Sequence, residues 1–183
     1  MSVPPKKSLE QLVETVAREV LSSSDAAGKG AKEARRSVAL GSDHAGFALK
    51  RQLKAYLAEE LSVDVVDCGA DSPDSVDYPD IAAKVAREVI AGRCGRGIVI
   101  DGAGIGSTMA ANKLPGIRCA LCHDLFTVQN ARRHNDANIL ALGSNVVNAG
   151  FARTLVRRFL STPFEGGRHA RRVDKITRLE RDR

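Results

Sequence analysis

The chain has 183 residues, of which 43% are hydrophobic and 4% aromatic, and its formal net charge is +6. This length and apolar content favour one globular domain with an appendage, whereas the few aromatic residues argue against a protein that binds nucleic acid by base stacking. No apolar run is long enough to span a membrane, and the first residues lack the apolar core of a secretory signal. We therefore expect a cytoplasmic protein with neither nucleic acid nor membrane as partner. The basic excess suits a small phosphate-bearing substrate.

Residues 1–36 differ in composition from the rest of the chain. Between Leu9 and Leu21 apolar residues recur at helical spacing, and residues 22–31 are mostly small, as in a flexible linker. A single helix of this length is marginal in water, so its apolar stripe has to dock on something. Docking on its own domain or on a dimer mate stays open, but a tethered helix that binds a partner groove fits the linker better. We place the domain boundary between residues 1–36 and 37–183.

Predicted strands and helices alternate from Ser37 onward, as is typical of a parallel sheet covered by helices on both faces. The predicted strands are residues 38–40, 63–66, 97–100, 117–121 and 139–142. The predicted helices are residues 47–61, 81–90, 108–113, 126–133 and 149–160, followed by a basic helix from Gly167, and residues 72–79 form a loop with two prolines.

Three turns are expected at the edge where the strands end, because ligands of parallel sheets bind outside the carboxyl ends of the strands. They are the turn at Asp43 and His44, the turn from Asp101 to Ser107, and the loop after the fourth strand. In the second turn three glycines separate a buried strand from a helix. Free N–H groups at a helix start bind anions, although a tight turn without a ligand would have the same sequence. The turn is neither a P-loop nor a good dinucleotide fingerprint.

Other residues offer either chemistry or a simpler role. Asp43 either binds a ligand together with His44 or caps the helix that follows. His134 precedes the fifth strand, and we expect it near the same edge, unless it is only a loop or capping residue. Arg168 and Arg172 lie four residues apart on one helix face, where they suit a phosphate or form a solvated basic face.

The four cysteines predict no metal site. Cys119 and Cys122 form one C-x-x-C on and just after a predicted buried strand, and the chain has no second C-x-x-C. We expect both to be core thiols. No cysteine spacing matches an extracellular disulfide framework, which favours free thiols.

Six motifs occur in the order typical of one known family. They are Gly41-Ser-Asp-His-Ala-Gly46, Asp77-Tyr-Pro79, the glycine turn into Ala110-Ala-Asn-Lys113, Pro115-Gly-Ile-Arg118, His134-Asn-Asp136, and Glu165-Gly-Gly-Arg-His169 with Arg172-Val173. On these motifs the chain from about Ser37 onward resembles the ribose-5-phosphate isomerase B and galactose-6-phosphate isomerase family. The resemblance implies a flavodoxin-like Rossmann three-layer sandwich with a five-stranded parallel sheet. It also implies a homodimer or tetramer with shared active sites, and aldose–ketose isomerisation of a phosphorylated sugar without metal or nucleotide. We expect the substrate to be a phosphorylated pentose, with conversion of ribose 5-phosphate to ribulose 5-phosphate.

The resemblance also implies a role for each motif. His134 opens the sugar ring with help from Asp43 and His44, and a base then moves a proton through an enediolate. Backbone N–H groups of the glycine turn stabilise the developing charge. The turn residues are Gly102, Ala103, Gly104, Ile105 and Gly106. Tyr78 also contacts the substrate, and Asn135 binds sugar hydroxyls. Arg168 and Arg172 bind the phosphate.

The chain departs from the family at the base. Many members have Cys at the position of Asp101, and another branch has Glu at the position of Ser107. Asp101 is then the candidate base, with a free pKa of about 3.9 against about 8.5 for a thiol. If the logarithm of the rate follows the pKa of the base with a slope near one half, the weaker base lowers the rate up to ~10²-fold. Burial is expected to raise the pKa of Asp101 and to recover part of this rate. A catalytically weak sugar-phosphate-binding subunit, or a six-carbon sugar phosphate isomerase that needs a partner subunit, stays open.

The helix predicted between Leu9 and Leu21 resembles the encapsulation peptides that load enzymes into bacterial microcompartments. The resemblance implies a microcompartment shell or cargo protein as a partner of this segment. It also implies that the cytoplasmic protein is located inside such a compartment.

Overall fold

The computed structural model describes residues 37–180. Residues 1–36, which hold the predicted amphipathic helix and linker, and residues 181–183 lie outside the described residues. Of the helices between residues 37 and 180, none is long and apolar enough to cross a membrane. The strands are β1 (Ser37–Ser42), β2 (Asp64–Asp67), β3 (Arg96–Asp101), β4 (Cys119–Leu121) and β5 (Ile139–Gly143). The helices are α1 (Phe47–Ala55), continued by a wider π-helical turn (Tyr56–Glu60), α2 (Tyr78–Ile90), α3 (Ile105–Ala111), α4 (Leu125–Asn135), α5 (Ala149–Ser161) and α6 (Arg168–Arg178).

The strands form one parallel sheet in the order β2-β1-β3-β5-β4. Helices α1, α4 and α5 contribute to the hydrophobic cluster on one face of the sheet, and α2 and α3 contribute to the cluster on the other face. The three central strands are buried almost throughout, as expected for strands covered on both faces. The predicted five-stranded parallel sheet and flavodoxin-like three-layer sandwich are confirmed.

Several elements begin or end at other residues than predicted. Helix α2 begins at Tyr78 inside the predicted loop, because Pro79 fits the first turn of a helix. Helix α3 begins at Ile105 rather than at residue 108, since Gly104 has a positive φ of 78° and turns the chain directly into the helix. Helix α4 runs through Asn135 and ends where Asp136 takes a left-handed φ of 44°.

The central strands define two opposite edges of the sheet. Asp101 pairs with Gly143 at the ends of β3 and β5, and Gly97 pairs with Ile139 near their starts. Four residues separate these pairs, which is about 13 Å along a strand. His134 lies in the last turn of α4, which returns the chain to the start of β5. The expectation that His134 lies near the carboxyl edge is therefore wrong: it belongs to the amino edge.

Candidate active site

The carboxylate of Asp101 organises the glycine turn at the carboxyl edge. Asp101 ends β3 and is 5% exposed. Its Oδ1 accepts hydrogen bonds from the backbone N–H groups of Ala103, at 2.8 Å, and Gly104, and its Oδ2 accepts one from the N–H of Ser107, at 2.9 Å. The side chain therefore occupies the anion-binding start of α3.

These contacts determine the proton affinity of Asp101. Burial raises the pKa of the carboxyl group, but hydrogen bonds from Ser107, Gly104 and Ala103 together hold it below its ordinary value. The expectation that burial would raise this pKa is thus wrong in its net direction, because the Ser107 side chain and the backbone N–H groups of Ser107, Gly104 and Ala103 stabilise the charged form. Asp101 is ionised at neutral pH and is a weaker base than a free aspartate.

The glycine turn has fewer free backbone N–H donors than the sequence predicts. Two of the backbone N–H groups assigned to the enediolate, those of Ala103 and Gly104, already bind Asp101. Within residues 37–180, the N–H groups of Gly102, and of Ile105 and Gly106 in the first turn of α3, have no acceptor. These three groups are the part of the predicted charge-stabilising turn that remains for a ligand.

Tyr78 packs directly on this turn. A Cβ atom on Gly106 would lie 2.5 Å from Cε2 and 2.6 Å from Cζ of the Tyr78 ring, so residue 106 has to be glycine for this contact. Tyr78 is 41% exposed, which leaves part of its ring available to a ligand. The structure therefore brings Tyr78 and the glycine turn together.

Asp43 and His44 lie at the same edge, next to the end of β3. The N–H of Asp43 donates to the carbonyl of Ile100 at 3.1 Å. The Asp43 side chain is buried and accepts a hydrogen bond from the N–H of Gly46 at 3.0 Å. Since Gly46 is itself the N-cap of α1, this bond closes the turn before the helix and does not cap the helix. His44 is exposed and free to meet a ligand or a second chain.

Sequence reasoning named no residue in the loops after β4 and β5, although it expected the first of these loops at the carboxyl edge. Nε2 of His123 accepts a hydrogen bond from the N–H of Gly143 at 3.1 Å. The hydroxyl of Ser144 lies within bonding distance of the carbonyls of Ala45, at 3.0 Å, and Asp101, at 3.2 Å. The signal that could have found them is their position directly after a strand.

One serine hydroxyl at this edge has no partner. Ser42 ends β1 and is fully buried, and within the described part of the chain its Oγ atom has no hydrogen-bond partner. The equally buried hydroxyl of Ser107, in the first turns of α3, lies beside the Asp101 carboxylate and helps to lower its pKa. Buried polar groups are nearly always hydrogen-bonded in folded proteins, so the Ser42 hydroxyl is consistent with a polar ligand at this edge.

A second cluster lies at the amino edge, around His134. Its ring stacks on that of His169, with centroids 4.1 Å apart and planes 6° apart. Oε2 of Glu165 lies 3.4 Å from Nε2 of His134 and 3.7 Å from Nε2 of His169. Burial, together with the charges of His134 and Arg168, lowers the pKa of His169, which favours its neutral form at pH 7.

The predicted phosphate-binding arginines belong to this second cluster. Arg168 begins α6 next to His169, and Arg172 follows one turn later on the same helix face. Asn135 is exposed in the last turn of α4. Arg168 and Arg172 are exposed as well, so a basic surface lies beside His134. Within one chain the structure does not bring this surface to Asp101, because the two lie at opposite edges of the sheet.

The cysteines take no part in either cluster. Cys119 and Cys122 are buried and free, as predicted for core thiols. Burial raises the pKa of Cys119 to about 12 and that of Cys122 to about 11, so both stay protonated and unreactive at neutral pH. Among residues 37–180, no thiol stands in for the base that Asp101 replaces.

Comparison with known proteins identifies the family of the chain. The sequence profile of the Ribose/Galactose Isomerase family matches residues 38–176. Ribose-5-phosphate isomerase B of Escherichia coli K12 is 43% identical over 148 residues, which cover 81% of this chain and 99% of that protein.

Two solved structures are also similar. Ribose-5-phosphate isomerase B of Clostridium thermocellum is 47% identical, with a TM-score of 0.78 over 80% of this chain and 98% of that one. Type B ribose 5-phosphate isomerase of Trypanosoma cruzi is 42% identical, with a TM-score of 0.77 over 80% of this chain and 99% of that one. Since the family profile and these relatives span almost all of the described structure, the chain belongs to the ribose/galactose isomerase family and is an aldose–ketose isomerase.

Proposed function

We propose that the chain interconverts ribose 5-phosphate and ribulose 5-phosphate. The observation that carries this proposal is the presence of both halves of a sugar-phosphate site. One half is the glycine turn packed on Tyr78, and the other is His134 beside the arginines Arg168 and Arg172. The Escherichia coli and Trypanosoma cruzi relatives have names that state this activity.

A complete site of this kind needs two chains. Asp101 and His134 belong to opposite edges of the sheet, and the strands between these edges are about 13 Å long. We therefore propose a homodimer, or a tetramer formed by two such dimers, in which the carboxyl edge of one chain faces the amino edge of its partner. Twofold symmetry then creates two equal sites.

Ring opening would be the first step. His134 takes the proton of the anomeric hydroxyl and returns a proton to the ring oxygen, so that the bond from C1 to the ring oxygen breaks and an open-chain aldehyde forms. Nδ1 of His134 lies 3.0 Å from the Asn130 side chain, which orients the ring. Arg168 and Arg172 bind the phosphate, and Asn135 binds sugar hydroxyls.

Proton transfer would follow at the carboxyl edge. Oδ2 of Asp101 accepts one backbone bond, and once the neighbouring Ser107 hydroxyl turns to the substrate the carboxylate has a lone pair for the C2 proton. Its removal gives an enediolate, whose charge the N–H groups of Ile105 and Gly106 stabilise. The proton returns to C1, and a proton moves from O2 to O1, which completes the ketose. The depressed pKa of Asp101 makes this step slower than with a thiolate.

One observation favours a second candidate function. Because three backbone donors hold the Asp101 carboxylate, the chain would also suit a sugar-phosphate-binding subunit of low intrinsic activity. Such a subunit keeps Arg168 and Arg172 but relies on a partner chain that carries the base. A six-carbon sugar phosphate is then the alternative substrate, as the family description includes galactose.

Exchange of solvent deuterium into ribose 5-phosphate, followed by NMR, tests the proposal. We expect C–D incorporation with the unmodified chain and its loss in Asp101→Asn. Exchange that persists in Asp101→Asn would place the base elsewhere. Binding of ribose 5-phosphate without any exchange by the unmodified chain would support the binding subunit instead.

We also propose that residues 9–21 direct the enzyme into a bacterial microcompartment by binding a shell or cargo protein. This proposal rests on the sequence pattern alone, since these residues lie outside the described structure. Residues 1–36 fused to a fluorescent protein should colocalise with shells in a compartment-forming host. Diffuse fluorescence there would contradict the proposal.

A further inference from the structure

We propose that Arg118 is a positioning residue, which holds His134 and Asn135 in place for ring opening. Nε of Arg118 donates hydrogen bonds to the backbone carbonyls of Asn135, at 3.1 Å, and Asp136, at 3.0 Å. Its Nη2 donates to Oδ2 of Asp136 at 2.9 Å. Arg118 and Asp136 each belong to one of the six sequence motifs, but neither takes part in the steps proposed above. The role of Arg118 rests on the proposed function, in which His134 opens the sugar ring.

These contacts lie where a helix is least constrained. The last carbonyl groups of a helix have no partner within it, and helix ends fray. The last turn of α4 carries His134 and Asn135. Its final carbonyl, that of Asn135, binds Arg118, and the carbonyl of Arg133 accepts the backbone N–H of Glu165 at 3.0 Å. The last turn of α4 is therefore tied to two other parts of the chain, and the bond from Arg118 is at its very end.

The carboxylate of Asp136 connects Arg118 to a second arginine. Its Oδ2 binds Arg118, and its Oδ1 accepts a hydrogen bond from Nη1 of Arg132 at 2.9 Å. Arg132 is 2% exposed and also donates to the carbonyls of Ala137, at 2.5 Å, and Thr162, at 3.3 Å. Because Thr162 follows directly after α5, the same network fixes the point from which the chain continues to α6 and its arginines.

A fixed end of α4 matters because the other contacts of His134 orient its ring and not its backbone. The ring lies 3.0 Å from the Asn130 side chain, stacks on His169 and lies 3.4 Å from Glu165. Catalytic groups have to be held to within about 0.5 Å of the productive geometry, and a displacement of about 1 Å lowers the rate up to about 10²-fold. A loose end of α4 would therefore slow ring opening in a chain that is still folded.

Arg118 is placed to act through α4 rather than on the substrate. Its side chain is 20% exposed, and its Nε and Nη2 are already bonded to the end of the helix. Arginine presents its donors in a rigid planar fork, which suits two carbonyls and a carboxylate in fixed positions. Lysine offers a single ammonium group on a flexible stem and cannot reproduce these bonds together.

Ring opening and proton transfer can be measured separately, because the two sugar phosphates differ in their ring form. Ribose 5-phosphate closes a five-membered ring between C1 and O4, which has to open before the proton moves. Ribulose 5-phosphate stays open, since closing such a ring on C2 needs O5, which carries the phosphate. Exchange of a C1 hydrogen of ribulose 5-phosphate with solvent deuterium therefore needs the base at Asp101 but no ring opening.

Two substitutions of Arg118 test the positioning role. Arg118→Met removes the guanidinium, and Arg118→Lys keeps the charge without the fork of donors. We expect kcat for ribose 5-phosphate to fall about 10-fold or more in Arg118→Met and about 3-fold or more in Arg118→Lys, while C1 exchange at saturating ribulose 5-phosphate changes less than about 2-fold. Arg93→Met, which breaks the exposed pair between Arg93 and Glu88, should leave both rates unchanged.

A merely structural role of Arg118 predicts a different result, because partial unfolding lowers both rates alike. Equal loss of both rates in Arg118→Lys, or no loss of either rate in both variants, would overturn the positioning role. Urea denaturation shows which variants are folded, and Arg118→Lys decides the matter if Arg118→Met is not. An unmodified chain that neither isomerises ribose 5-phosphate nor exchanges ribulose 5-phosphate would refute the proposed function instead.

Discussion

Replacing Asp101 by asparagine should destabilise the fold because its carboxylate closes the glycine turn. Asparagine keeps one oxygen for the N–H groups of Ala103 and Gly104, but its NH₂ group would face the N–H of Ser107. One bond to a charged acceptor is lost and two bonds become neutral. With about 1.5–3 kcal/mol for a bond to a charge and about 1 kcal/mol for a neutral one, the lost bond and the two weakened bonds together should lower the free energy of unfolding by about 2.5–7 kcal/mol.

The pH dependence of this loss follows from the pKa of Asp101. Because the folded-state pKa lies below the ordinary value, the carboxylate stabilises the fold above the unfolded pKa of about 3.9, and this stabilisation disappears as the pH falls through the folded value. Urea denaturation of Asp101→Asn and the unmodified chain, at one protein concentration, should show the full difference at pH 7. The difference should shrink below about pH 4.

The exposed Asp71 provides the control for this experiment. Asp71→Asn should change the free energy of unfolding by less than about 0.5 kcal/mol at every pH. Equal stability of Asp101→Asn and the unmodified chain at pH 7, or a difference that stays constant into acid, would refute the role assigned to the carboxylate.

Three further substitutions test the proposed catalytic site. Asp101→Cys should raise kcat/KM up to ~10²-fold, because a thiolate is the stronger base; a decrease would contradict Asp101 as base. Gly106→Ala should displace Tyr78 from the turn. We expect kcat/KM to fall at least about 10-fold and the free energy of unfolding to fall by about 1–3 kcal/mol. The control Gly150→Ala, whose new Cβ meets no atom closer than 3.5 Å, should retain activity. Arg168→Ala or Arg172→Ala should raise KM for ribose 5-phosphate about 10-fold or more, while Arg171→Ala on another helix face should not; an unchanged KM would place the phosphate elsewhere.

The sequence was sufficient to predict the fold because strand and helix patterns alternate over the whole described region. The apolar run before Asp101 became β3, and the turn that follows lies at the carboxyl edge as expected. The misplacement of His134 arose from topology. A residue that precedes a parallel strand lies at the amino edge, opposite to the turns that follow strands.

The electrostatics of the site could not be predicted from the sequence. The pattern shows that Asp101 precedes three glycines, but not that its carboxylate folds back onto the N–H groups of Gly104 and Ser107. The stacking of His134 on His169 likewise requires α4 and α6 to meet in space. Both features depend on contacts in space. Residue types and their spacing along the chain do not determine the geometry of such contacts.

A mixture of two inactive variants tests most directly the claim that one site is built from two chains. Asp101→Asn damages the carboxyl edge, and His134→Asn damages the amino edge, so each homodimer should be inactive. Coexpression should produce hybrid dimers in which one of the two sites is intact, and about a quarter of the activity of the unmodified enzyme should return for random pairing. A coexpressed mixture as inactive as either variant alone would contradict the shared site.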